Sequence, residues 1–97
     1  MSDELTIRVE ESSTAGRFFV DLGDGYEAEM TYKRNNNQMI IDHTGVPKPF
    51  EGKGIAAHLV FAGVDFARLN GRKIVPVCSY VVAQFKRHKE WSDVFAA

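Results

Sequence analysis

Residues 39–59 read MIIDHTGVPKPFEGKGIAAHL, and this stretch decides the fold. Met39 to Thr44 is a strand. A loop punctuated by Pro47 and Pro49 follows, and Gly52-Lys53-Gly54 opens an amphipathic helix. The first N–H groups of a helix have no intrahelical partner, and its dipole puts partial positive charge there. A glycine loop at that point is a cradle for a phosphate group, because backbone without Cβ atoms admits a bulky anion closely.

Working outward, Ile55, Leu59, Ala62 and Phe66 recur at helical spacing, and Asn70-Gly71 supplies the stop, so the helix is predicted over 54–69. The run 72–77 is nearly unbroken apolar at Ile74-Val75-Pro76-Val77, as expected of a strand covered on both faces and parallel to its partner. Pro76 removes a ladder donor and marks where pairing stops. Strand 39–44, helix and strand 72–77 form one βαβ unit, expected to be right-handed. Ser79 can cap a last helix, Tyr80 to Arg87, after which Trp91, Val94 and Phe95 fold back onto the body.

Upstream, residues 5–10 alternate with Leu5, Ile7 and Val9 on one face, and 12–16 read as a turn. Arg17 to Leu22 and Tyr26 to Lys33 are strands joined by Gly23-Asp24-Gly25, a hairpin signal, and Asn35-Asn36-Asn37 makes the next tight connection. The expected class is α/β (α+β): a mixed sheet with an antiparallel N-terminal meander, a βαβ crossover and a closing C-terminal helix.

The chain has 97 residues and a formal net charge of −1, which fits one domain over 1–97 and gives no global attraction to nucleic acid or an anionic membrane. Residues 1–4 are polar, so no signal-peptide core is expected there, and no apolar run approaches the ~20 residues that span a bilayer. One cysteine, Cys78, excludes an intrachain disulfide and a multi-Cys zinc site, and no His, Asp or Glu pair has metal-ligand spacing. A cytoplasmic monomer without a metal is the expectation.

Two phosphate-binding patterns fail. The P-loop needs four residues between its glycines, whereas six separate Gly45 from Gly52, and Gly54 stands where the magnesium-binding hydroxyl belongs. Gly52 to Ala57 formally fits G-x-G-x-x-A, but Gly45 to Glu51 intervene after the strand, and no acidic residue ends the next strand to hold a ribose.

Gly52-Lys53-Gly54 with Ile55-Ala56 instead resembles the diphosphate loop of the GNAT superfamily of acyl-CoA-dependent N-acetyltransferases, pattern [QR]-x-x-G-x-[GA], with Pro49 in place of the first residue. HTGVPKPFEGKGIAAHL (43–59) and PVCSYV (76–81) resemble its small stand-alone subfamily over nearly the whole chain. The resemblance implies acetyl-CoA as co-substrate, an amine acceptor such as a protein lysine, and parallel strands that splay to admit pantetheine. It implies pantetheine contacts at His43, Thr44, Gly45 and Val46, and diphosphate contacts at Gly52, Lys53, Gly54, Ile55, Ala56 and Ala57, with Lys48 near and Glu51 turned to solvent. Phe85 and Arg87 fall on the cofactor side, Lys86-Arg87 approaching the 3′-phosphate or forming a solvated helix end. Cys78 is expected at the thioester, as acetyl carrier, proton shuttle or passive neighbour. His43, read by alternation onto the face of Met39 and Ile41, is the candidate base, and Tyr80 the proton donor to the departing thiolate. His58 and His88 read as surface residues, and Phe50 as a wall of the channel. A non-catalytic acyl-CoA-binding module is the alternative.

Overall fold

The computed structural model describes residues 5–96; the polar residues 1–4 lie outside them. Five strands form one sheet in the order β1 (Arg8–Glu11), β2 (Ala15–Gly23), β3 (Tyr26–Asn35), β4 (Gln38–Gly45) and β5 (Lys73–Pro76). Neighbours from β1 to β4 are antiparallel, and β4 and β5 are parallel. Helix α1 (Ile55–Leu69) makes the crossover between them, and α2 (Ser79–Arg87) follows β5. The expected meander and crossover unit are thus both present. Among the described residues no helix is long and apolar enough to cross a membrane.

The meander obeys its period of two. Phe18, Val20, Ala28, Met30, Tyr32, Met39 and Ile41 point to one face and are buried, and α1 lays Leu59, Val60, Val64 and Ala67 onto them. Fully burying a side chain of this kind contributes roughly 1.5–3 kcal/mol, which is enough to fix the register. The other face carries Arg17, Glu27, Glu29, Thr31 and Lys33, and among the described residues no helix covers it.

Three local expectations shift. The first strand is Arg8–Glu11 rather than 5–10, and Ala15-Gly16 open β2 rather than belonging to the turn. Ser12 closes the hairpin, its N–H donating to the Ala15 carbonyl at 2.8 Å and its Oγ accepting from the N–H groups of Thr14 at 3.3 Å and Ala15 at 3.2 Å. Gly16 is there for close approach: a Cβ on it would lie 2.4 Å from the hydroxyl of Tyr32. At the other end, Cys78 rather than Ser79 occupies the N-cap of α2. Beyond α2 a 3-10 segment, Lys89–Val94, buries Trp91 and Val94, and Phe95 bridges to Ile74.

Candidate active site

Strands β4 and β5 pair from Gln38–Lys73 to Ile41–Pro76 and then part. The fork is visible in the hydrogen bonds, since the N–H groups of Val77 and Cys78 both donate to the carbonyl of Ile41 at 3.0 Å. Beyond it β4 runs on to Gly45, held by β3 alone, so its other rim faces an open slot. Pro76 is the last paired residue of β5, as expected of a residue with no N–H to extend the ladder.

A β-bulge sits at this fork. His43 lies opposite Thr31 and Ile41 opposite Tyr32, leaving Asp42 as the extra residue. An extra residue reverses which face each later side chain takes. His43 therefore does not share the face of Met39 and Ile41. It is exposed on the uncovered face beside Gly45, where a Cβ would come within 3.0 Å of its Nε2. Thr44, opposite the buried Met30, turns inward instead.

The inward turn of Thr44 brings its Oγ1 to 3.4 Å from Sγ of Cys78. Burial alone would push that thiol up. The Thr44 hydroxyl and the N–H groups of Val81, Tyr80 and Thr44 together outweigh burial and hold it below the ordinary thiol value. The physical source is the start of α2, whose first N–H groups favour negative charge. The partner across the slot is thus Thr44, where alternation had pointed to His43. Tyr80, the second residue of the same helix, moves the other way: burial raises its phenol above the ordinary value, and the charge of Arg87 and a hydrogen bond with Gln84 offset this only in part.

Thr44 and Tyr80 also line a cavity of ≈ 380 Å³, together with Val46, Phe50, Glu51, Gly52, Gly54, Ile55 and Ala56. A 3-10 turn, Lys48–Phe50, shapes its outer wall, and the ring of Tyr26 braces Phe50 edge-on at 5.3 Å. Gly54 is the N-cap of α1 in the left-handed region, φ 79°, and no side chain caps the helix and no acidic residue sits in its first turn. The first intrahelical bond runs from His58 N–H to the Gly54 carbonyl at 3.1 Å. The N–H groups of Ile55, Ala56 and Ala57 are therefore left for an acceptor.

Of the twelve residues expected at a cofactor, Thr44, Val46, Gly52, Gly54, Ile55 and Ala56 line this cavity, and His43, Gly45, Lys53, Ala57, Phe85 and Arg87 are not among its lining residues. Glu51 contributes to the cavity lining and is itself exposed. Lys53 is exposed at the loop tip. Arg87 is near enough to act electrostatically on Tyr80, whereas Phe85 packs away from this cavity, against Trp91 and Phe95 with ring centroids 5.1 and 5.6 Å away. Sequence reasoning missed the contact between Thr44 and Cys78, because nothing in the alternation of 39–45 announces a bulge. Among the described residues no group of acidic, His or Cys side chains could hold a metal ion.

Comparison with known proteins agrees with the fold. Protein NATD1 of Xenopus tropicalis is 31% identical over 90 residues, covering 91% of this chain and 83% of that protein. Protein NATD1 of Homo sapiens is 31% identical over 84 residues, covering 84% and 74%. The NMR solution structure of a GCN5-like protein from Staphylococcus aureus superposes with a TM-score of 0.69 at 30% identity, over 93% of this chain and 88% of that one. The family described as GCN5-related N-acetyl-transferase matches residues 17–94, so this chain belongs to the GCN5-related N-acetyltransferases, a family that uses acetyl-CoA as co-substrate.

Proposed function

We propose that the chain binds acetyl-CoA across the β4–β5 slot and passes the acetyl group through Cys78 to a primary amine, such as that of a protein lysine. The observation that carries this reading is the slot itself. An unpaired rim of β4, a lowered thiol across from it and uncapped helix N–H groups all open on one end of the molecule. The rim suits the amides of pantetheine, which would add to it as a strand does. The N–H groups of Gly52 to Ala57 suit a diphosphate.

In this reading Cys78 attacks the acetyl carbonyl as its thiolate, and the N–H of Thr44 is the donor for the oxyanion. As the carbon–sulfur bond to coenzyme A breaks, Tyr80 gives its proton to the departing sulfur. The amine then attacks the acetyl group on Cys78. Of the two protons an ammonium must lose, one restores Tyr80 and the other goes to His43, which stands on the uncovered face where an acceptor can approach. Cys78 leaves as thiolate, His43 releases its proton to solvent, and the cycle closes.

Brief exposure to acetyl-CoA followed by mass spectrometry of the intact protein tests this. One added acetyl group is expected on Cys78, absent in Cys78→Ala, and removed when an amine is added. Acetylation should rise with pH to a midpoint below that of a free thiol, roughly 8.5, and Thr44→Val should move the midpoint up. Turnover by Cys78→Ala at the wild-type rate would sink the relay. No thermal shift with coenzyme A would sink the binding site as well.

A further inference from the structure

A second recess, of ≈ 470 Å³, lies where β5, α2 and the C-terminal segment meet. It is separate from the glycine-loop cavity: Tyr80 of α2 lines that cavity, whereas Val82, Phe85 and Lys86 line this recess. The walls are carbon. Val75, Val82, Phe85, Trp91 and Phe95 supply them, with Phe85 between the other two rings. Phe95 remains 42% exposed at the mouth, so an apolar surface that folding could have closed is left open to solvent.

The rim decides what fits. Lys86 and Lys89 both line the recess, and among the described residues neither has a carboxylate within 4.0 Å. His88 is drawn aside by Glu90, at 2.9 Å, and stacked on Trp91 with centroids 4.1 Å apart. A ring of aromatic side chains can hold a cation, but a cation here would meet two ammonium groups, and like charges repel. An apolar body with an anionic head is favoured at both ends: the body displaces water from carbon walls, and the head meets lysines that have no carboxylate beside them among the described residues. The volume lies within the ~300–1,000 Å³ of small-molecule sites.

We infer that this recess is a second ligand site, for a small amphipathic anion of the alkyl carboxylate class, with the chain against Phe85, Trp91 and Phe95 and the carboxylate at Lys86 and Lys89.

Trp91 is the only tryptophan, so its emission reports on the recess directly. Titration with octanoate should shift the emission saturably. Replacing both lysines, Lys86→Gln with Lys89→Gln, should weaken octanoate about tenfold, the loss of roughly one charge-assisted contact, and leave uncharged octanamide unaffected. Val82→Phe, at a half-exposed helix position, should fill the recess and abolish the response. A response that is absent or never saturates, or a lysine pair whose loss changes nothing, overturns the inference. Displacement of octanoate by coenzyme A also overturns it, because the recess would then belong to the cofactor.

Discussion

The two ends of the β4–β5 pair are built oppositely. At one end Gln38 to Ile41 and Lys73 to Pro76 are zipped, and the N–H of Lys73 extends the pairing to the carbonyl of Asn37 at 2.8 Å. A cluster of ions reinforces that end. Glu11 of β1 bonds Arg72 ahead of β5, Arg34 of β3 at 3.2 Å and the hydroxyl of Tyr32 at 2.6 Å. At the other end the strands part, backbone faces a slot, and Thr44 reaches Cys78 across it. One end spends side chains on holding the sheet together. The other leaves main-chain groups for a ligand. A slot between two strands of a sheet this small survives because the same strands are clamped further down.

The largest effect on stability should come from the clamped end. In Glu11→Gln the amide cannot neutralise Arg72 and Arg34, whose side chains are 12% and 26% exposed. Leaving a partly buried charge without its partner costs about 2 kcal/mol, a fall of roughly 10 °C in melting temperature for a domain of this size. The loss should be pH-dependent. The hydrogen bond from Arg72 leads in holding the Glu11 carboxyl below its usual range; burial opposes it, and Tyr32 and Arg34 assist. A folded-state value below the unfolded one means stabilisation that is full above the ordinary carboxylate range and lost as pH falls through the lower value. Wild type and variant should therefore converge in melting temperature at acid pH. Affinity for coenzyme A, measured by calorimetry, should stay within twofold; a larger change would mean the clamp and the slot are not independent.

A smaller effect, of the opposite kind, is expected at the open end. Gly54 and Gly71 both have positive φ, 79° and 63°, at the two ends of α1, and a Cβ on either would meet nothing within 4 Å. Gly54→Ala and Gly71→Ala should each cost roughly 1 kcal/mol of backbone strain. Only Gly54→Ala puts a methyl group where a diphosphate would sit, so it alone should weaken coenzyme A, by about tenfold. Equal affinities in the two variants would remove the glycine loop from the site.

The contrast also explains what could be read from the sequence. The glycine loop is legible because its chemistry is local: glycines, a helix start and the absence of an acidic first turn lie within a few positions of one another. The βαβ unit is legible from the change of period at Gly54. The bulge at Asp42 is not, since a single extra residue leaves the apolar pattern of Met39 and Ile41 intact and acts only on the residues after it. That is why His43 falls on the uncovered face and Thr44 takes its place at Cys78. The clamp was illegible for a different reason. Glu11 and Arg72 are separated by 61 positions, and no periodicity connects two charges so far apart. Ser79 was the expected cap of α2, and only the path of the chain out of the fork makes its neighbour Cys78 the N-cap instead.

The smallest effect is expected away from both ends, on the uncovered face. There Arg17 is held by Glu10 at 2.9 Å, Glu27 at 2.7 Å and Glu29 at 3.0 Å, and its guanidinium lies 4.2 Å from the ring centre of Phe19. This looks like a clamp as dense as that around Glu11, but its members are wetter: Arg17 is 32% exposed and Glu27 42%. Water screens such pairs, and with three carboxylates around one guanidinium, removing one charge also relieves repulsion between the other two and it. Glu27→Gln should therefore change stability by no more than about 0.5 kcal/mol and leave affinity for coenzyme A unchanged. A loss as large as that of Glu11→Gln would show that the number of ion pairs, rather than their burial, decides which part of this sheet is clamped.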